Sequence, residues 1–152
     1  MFLINLVKAL NQQNIPYALV GGHAVAIHGA VRGTMDVDLV LKWSLEILQK
    51  TEETFSDLGL IPRLPISAKD IFDFRQEYID NRNLIAWNFY NPAHPDQQVD
   101  IIIIYDLSDL QSINIKYQET NITVIAKHDL IQMKKASGRK QDLLDVEALE
   151  KL

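Results

Sequence analysis

Between Leu19 and Leu41 the chain reads LVGGHAVAIHGAVRGTMDVDLVL. A short apolar run meets a doubled glycine, then a helical stretch closed by Gly29, then a second apolar run entered through two aspartates. The pattern predicts a strand, a short helix and a second strand. It also carries residues that such a unit would not choose for stability. Two glycines enlarge the conformational freedom lost on folding. Asp36 and Asp38, spaced i and i+2 on a strand, place like charges on one side of it. A fold that keeps these residues needs something to compensate for them.

The rest of the chain supplies a frame for that unit. Its 152 residues suggest a single domain, residues 1–152, long enough to bury a core without staples. Phe2, Leu3, Leu6, Val7 and Leu10 recur at helical spacing, so the N-terminus reads as an amphipathic helix ended by Pro16 and not as a signal peptide. Ser44 is placed to cap a helix running to about Asp57, with Gly59 as its stop. IPRLPI is extended and belongs at an edge or in a loop because of its two prolines. AKDIFDFRQEYI is helical or irregular, NLIAWNFYN is a strand, NPAHPDQ a turn and QVDIIIIY a strong strand. The run Ile101–Ile104 lacks polar alternation, which predicts a strand covered on both faces. Two short extended pieces within IKYQETNITVIA precede the helix KHDLIQMKKAS, a break at Gly138, and a last helix in RKQDLLDVEALEKL. Helices and strands are interspersed and strands often adjoin, so the fold class is α/β (α+β) with a mixed sheet.

The absence of cysteine excludes disulfides and thiolate metal sites and fits a cytoplasmic protein. No apolar run reaches the roughly 20 residues of a membrane span, so no membrane partner is expected. A formal charge of −5 argues against broad, non-specific nucleic-acid binding. Five of the fifteen Lys and Arg residues nevertheless fall within 127–140: Lys127, Lys134, Lys135, Arg139 and Lys140. They form either a local anion-binding patch or a solvated helix face.

Asp36 and Asp38 would carry chemistry through oxygen-only coordination, which suits Mg²⁺ with substrate phosphate. The bland alternative is a solvent-facing strand end. Asp100 stands between Val99 and four isoleucines, where a lone ionised acid costs several kcal/mol unless compensated. If its strand pairs beside DVDLVL, three carboxylates converge; otherwise it is a strand-end acid reaching water. Gly21 and Gly22 allow a phosphate to approach the backbone, or simply make a tight turn. No G-K-[ST] and no G-x-G-x-x-G follows them, so neither a Walker loop nor a dinucleotide fingerprint is present.

The combination resembles the nucleotidyltransferase superfamily, the polymerase-β-like fold. The matching segments are VGG at 20–22, DVDL at 36–39 and VDII at 99–102. YALVGGHAVAIHGAVRGTMDVDLVL together with HDLIQMKKASGRKQDLLDVEAL is similar to the AbiEii-like branch, which includes toxins of abortive-infection and toxin–antitoxin systems. The resemblance covers about residues 15–150. It implies a central mixed sheet flanked by helices, with a helical C-terminus. It implies transfer of a nucleoside monophosphate from an NTP, with Mg²⁺ or Mn²⁺ as cofactor. Asp36, Asp38 and Asp100 would bind metal, Asp100 would also help deprotonate the acceptor, and Gly21 and Gly22 would hold the triphosphate.

The acceptor stays open among RNA, protein and small molecule. Larger relatives carry a further domain that helps hold the acceptor; here a partner protein or a homo-oligomer is the expected substitute. Gly22 departs from the serine common at that position and offers backbone only. Arg32, beside Thr34, either contacts phosphate or braces the acids, and Lys134 either reaches the triphosphate or lies on a solvated face. Arg139, Asp142 and Asp145 read as capping and local ion pairing. His23 and His28, spaced i and i+5, do not form a zinc motif. Trp43, Trp87, Phe89 and Tyr90 read as core or edge packing. The alternative to an enzyme is a non-catalytic module that keeps the fold and binds a nucleotide or a partner.

Overall fold

The computed structural model describes residues 1–30 and 36–152. Among these residues a seven-stranded mixed sheet forms the centre, flanked by seven helices. In chain order the elements are α1 (Phe2–Gln12), β1 (Tyr17–Val20), α2 (Gly21–Ile27), β2 (Val37–Leu41), α3 (Leu45–Asp57), β3 (Ile61–Pro62), α4 (Ala68–Asp73) and α5 (Arg75–Arg82). They continue with β4 (Ala86–Asn91), β5 (His94–Ile102), β6 (Ser112–Tyr117), β7 (Thr120–Ile125), α6 (Lys127–Ser137) and α7 (Lys140–Glu150). The strand order is β3-β4-β5-β2-β1-β7-β6. β1 runs antiparallel to β2 and parallel to β7, and β2 runs parallel to β5.

One face of the sheet is oily and closed. Leu19, Val37, Leu39, Val99, Ile101 and Phe89 are fully buried there. Phe55 of α3 meets Phe89 edge-on at 5.0 Å between ring centroids, and Trp87 packs on Phe89 at 4.6 Å. Burying each such side chain contributes about 1.5–3 kcal/mol. Helix α1 seals part of the core through Leu3, Ile4, Leu6, Val7 and Leu10, the stripe that its sequence spacing marks.

Local signals place most boundaries. Ser44 caps α3, Ser67 and Asp70 form a capping box on α4, and Gly138 ends α6 at φ +66°. The β6–β7 hairpin turns through Gln118 and Glu119, both with positive φ, as a primed two-residue turn requires. IPRLPI contributes the two-residue edge strand β3.

Two readings need correction and a third is sharpened. The turn expected over NPAHPDQ is shorter, because Asn91 already pairs with His94 and strand structure resumes there. The isoleucine run is not covered on both faces throughout. Ile101 and Ile103 are buried, but β5 ends at Ile102 and Ile104 is 39% exposed. The segment 68–82 is two helices, α4 and α5, that meet at Phe74. Among the described residues, no helix is long and apolar enough to cross a membrane.

Candidate active site

Residues paired across neighbouring strands point to the same side of a sheet. Val20 pairs with Asp38, Asp38 with Asp100, and Asp100 with Asn88. A single row therefore crosses β1, β2, β5 and β4 on the face opposite the oily core. Its two central members are carboxylates on adjacent parallel strands. Of the two alternatives the sequence leaves for Asp100, the structure takes the one in which its strand lies beside DVDLVL, with Asp38 and Asp100 at the same level. Asp36 precedes β2 and is exposed at its entrance.

The electrostatics of this pair are unusual. Burial pushes the Asp38 carboxyl up to about 7, and the charges of Asp100 and Asp36 push in the same direction, while Lys134 opposes them. Burial also raises Asp100, and Asp36 adds to that; a hydrogen bond from Asn88 and the charge of Arg63 work against it. The interaction between the two carboxyls favours the neutral form of Asp38, and they titrate as a coupled pair.

Gly21 explains how the first strand approaches so closely. It has φ +69°, and a Cβ built on it would stand 2.1 Å from Asp38 Oδ2. No side chain fits there. Glycine at this bend therefore leaves room for the Asp38 carboxylate itself as well as for any ligand. Gly22 is buried in the first turn of α2.

Helices α6 and α7 close the other side. Lys134 is 6% exposed, and its Nζ lies 3.0 Å from Asp145 Oδ2 and 3.3 Å from Asp142 Oδ1. The solvated-face reading of Lys134 is thereby overturned. Burial alone would raise Asp142, but hydrogen bonds from Arg139 and Ser137, with the charge of Lys134, hold it well below the usual carboxylate range. Asp142 Oδ2 accepts from the Arg139 backbone N–H at 3.1 Å and from Arg139 Nε at 2.8 Å, the capping and ion pairing expected of this segment. Lys135 pairs with Glu150 at 3.5 Å, and Lys127 donates to the Leu152 carbonyl at 3.4 Å. Much of the basic cluster at 127–140 is thus neutralised within the C-terminal helices.

The structure brings together Asp38, Asp100 and Gly21, with Asp36 at the entrance and the charge of Lys134 felt at Asp38. Arg32 and Thr34 lie outside the described residues. Trp87 and Phe89 are core, whereas Tyr90 is half-buried under Arg63, whose Cζ lies 4.3 Å from the ring centroid. His28 pairs through Nε2 with the Ile125 carbonyl at 2.8 Å, a structural contact.

Sequence reasoning missed Asn88, which donates from Nδ2 to Asp100 Oδ1 at 2.7 Å, and Arg63, which donates from Nε to Asn88 Oδ1 at 2.9 Å. The available signal was Asn88 itself, a polar residue alternating with Trp87 and Phe89 in a strand.

The donor set fits a hard divalent cation. It is all oxygen, and two partly buried carboxylates at the same level of adjacent strands are a pairing that a cation stabilises and a proton otherwise must. Among the described residues, no three His, Cys, Asp or Glu side chains are drawn together tightly enough to hold an ion as they stand.

No protein-family model matches the sequence, and no curated protein matches it. Solved structures do share its fold. The lincosamide antibiotic adenylyltransferase LnuA, with lincomycin bound, aligns with a TM-score of 0.64 over 98% of this chain and 94% of its own, at 14% identity. ANT(2″)-Ia in complex with adenylyl-2″-tobramycin aligns at 0.62 over 97% and 85%, at 12% identity. An antigenic nucleotidyltransferase-like protein from Paracoccidioides brasiliensis aligns at 0.53 over 97% and 73%, at 16% identity. The chain has the fold of these nucleotidyltransferases, the polymerase-β-like architecture.

Proposed function

We infer that this protein is a Mg²⁺-dependent nucleotidyltransferase that moves a nucleoside monophosphate from an NTP to an acceptor hydroxyl or phosphate. The observation that carries the reading is the Asp38–Asp100 pair, partly buried side by side on adjacent strands with Asp38 against the Gly21 bend. The shared fold supports it, as do the adenylyltransferase LnuA and the adenylyl-2″-tobramycin bound to ANT(2″)-Ia. Asp36, Asp38 and Asp100 would hold Mg²⁺ or Mn²⁺, which when bound would neutralise charge on the triphosphate and on the attacking and leaving oxygens.

The chain's own groups do the rest. The backbone of Gly21 and Gly22, with Arg32, holds the phosphates, and Lys134, already paired with Asp142 and Asp145, acts on the site through its charge. Asp100 takes the proton of the acceptor hydroxyl. The acceptor oxygen then bonds to the α-phosphorus, the bond from that phosphorus to the bridging oxygen breaks, and pyrophosphate leaves with the electron pair. Positioning and charge neutralisation carry the rate of such a displacement. The AbiEii-like resemblance favours a macromolecular acceptor within a toxin–antitoxin or defence pair, whereas the fold neighbours favour a small hydroxylated molecule.

The test mixes the protein with α-³²P-labelled NTPs and Mg²⁺, offering cellular RNA, cellular protein and hydroxyl-bearing small molecules in separate arms. Label transfer in one arm by the wild type, lost in Asp38→Asn, is the expected result. Nucleotide binding with no transfer in any arm would favour the non-catalytic module, and no Mg²⁺-dependent nucleotide binding at all would remove both readings.

A further inference from the structure

Asp100 is held from the side away from Asp38. Arg63 Nε donates to Asn88 Oδ1 at 2.9 Å, and Asn88 Nδ2 donates to Asp100 Oδ1 at 2.7 Å. Asn88 Nδ2 also points to Gln98 Oε1, a longer contact of 3.4 Å. The chemistry of the three groups fixes the direction of this chain. A guanidinium has donors only and an ionised carboxylate acceptors only, so a group joining them must accept on one side and donate on the other. A primary amide does this in a single orientation: oxygen to Arg63, nitrogen to Asp100.

The far end is anchored as well. Arg63 is exposed, yet its guanidinium lies over the Tyr90 ring at 4.3 Å. Its backbone N–H donates to the Asn88 carbonyl at 2.9 Å, which ties the β3 edge to β4 beside the relay. Cross-strand register sets the near end, because Asn88 and Asp100 are direct partners.

We propose that Asn88 and Arg63 are positioning residues for Asp100: by tying its Oδ1 they turn the other oxygen toward Asp38 and pre-organise the pair for a divalent cation. The inference rests on the reading of Asp38 and Asp100 as cation ligands. Groups that orient a ligating carboxylate typically govern metal affinity by 10–100-fold.

The probe is Mn²⁺ alone, titrated into the full chain and followed by electron paramagnetic resonance. Asn88→Ala should weaken Mn²⁺ binding about tenfold or more while the thermal midpoint stays near that of the wild type. Should the alanine variant fold poorly, Asn88→Thr keeps strand propensity and still lacks the amide, and it should show the same loss. Arg63→Ala should weaken binding less, and added to Asn88→Ala it should produce no further loss, because Arg63 acts through the amide.

Unchanged affinity in both Asn88 variants overturns the proposal, as do losses that simply add in the double variant. Asp38→Ala separates this failure from that of the parent reading. If it leaves Mn²⁺ binding intact, the cation-ligand assignment itself falls, and this inference with it. If it abolishes binding while Asn88→Ala does not, only the positioning role is wrong.

Discussion

At Gly21 a single hydrogen in place of a methyl decides whether the site can exist. A Cβ there would stand 2.1 Å from Asp38 Oδ2, and the residue sits at φ +69°. Gly21→Ala therefore meets two penalties at once. The left-handed backbone costs an L-residue about 1–3 kcal/mol. The Asp38 carboxylate must also swing away from the bend and out of line with Asp100. The variant should unfold at lower urea by that margin and lose Mn²⁺ affinity out of proportion to its stability. A variant destabilised to this extent but with Mn²⁺ affinity intact would show that the glycine serves the backbone and not the carboxylate. The doubled glycine was visible in the sequence as a cost, and phosphate approach or a tight turn accounted for it. The contact with Asp38 was not visible, because it depends on how β1 and α2 fold back over β2.

At the level of elements, the helix pair α6–α7 is held by charge at its centre. Lys134 stands between Asp142 and Asp145, with all three largely out of water. Removing the cation alone takes one charge partner from each buried carboxylate, leaving Asp142 its bonds from Arg139 and Asp145 its bond from Gln141, a loss of about 3 kcal/mol. Lys134→Met should show it in urea unfolding, and Lys134→Met combined with Asp142→Asn and Asp145→Asn should recover most of it. Additive losses in the triple variant would mean that the three do not act as a unit. Element order and the break at Gly138 were legible, because each rests on local pattern, apolar runs and a glycine stop; the pairing of β2 with β5 stayed one of two alternatives, because it joins strands far apart in sequence. Lys134 and Asn88 were not legible. On its own helix Lys134 looks like one of several surface lysines; its burial follows from α7 folding back after the Gly138 turn. The role of Asn88 needs the β4–β5 register, which follows from Asn91 pairing with His94 and not from a seven-residue turn.

Over the whole molecule, the site makes stability depend on pH in a direction opposite to the usual one. Asp38 titrates near 3.8 when unfolded and at about 7 when folded, so between those values the folded chain binds the extra proton. Without metal, stability from this group is complete below about pH 4 and is lost as pH rises through about 7; the raised Asp100 adds in the same sense. Asp142 is shifted the other way, so its contribution is present above about pH 4 and lost only in stronger acid. The window between about pH 4 and 7 is therefore governed by the carboxylate pair. A shift of this size corresponds to up to about 4 kcal/mol. In chelator, urea midpoints of the wild type should fall from pH 5 to pH 8, and Asp38→Asn, neutral at every pH, should lose much of that slope and be the more stable protein at pH 8. Millimolar Mg²⁺ should reverse the ranking at pH 8, because a cation that binds only the folded wild type stabilises it by mass action. The same slope in Asp38→Asn would place the pH dependence elsewhere in the chain. An unreversed ranking would mean that the pair at the centre of the sheet does not gather the ion that compensates for its charge.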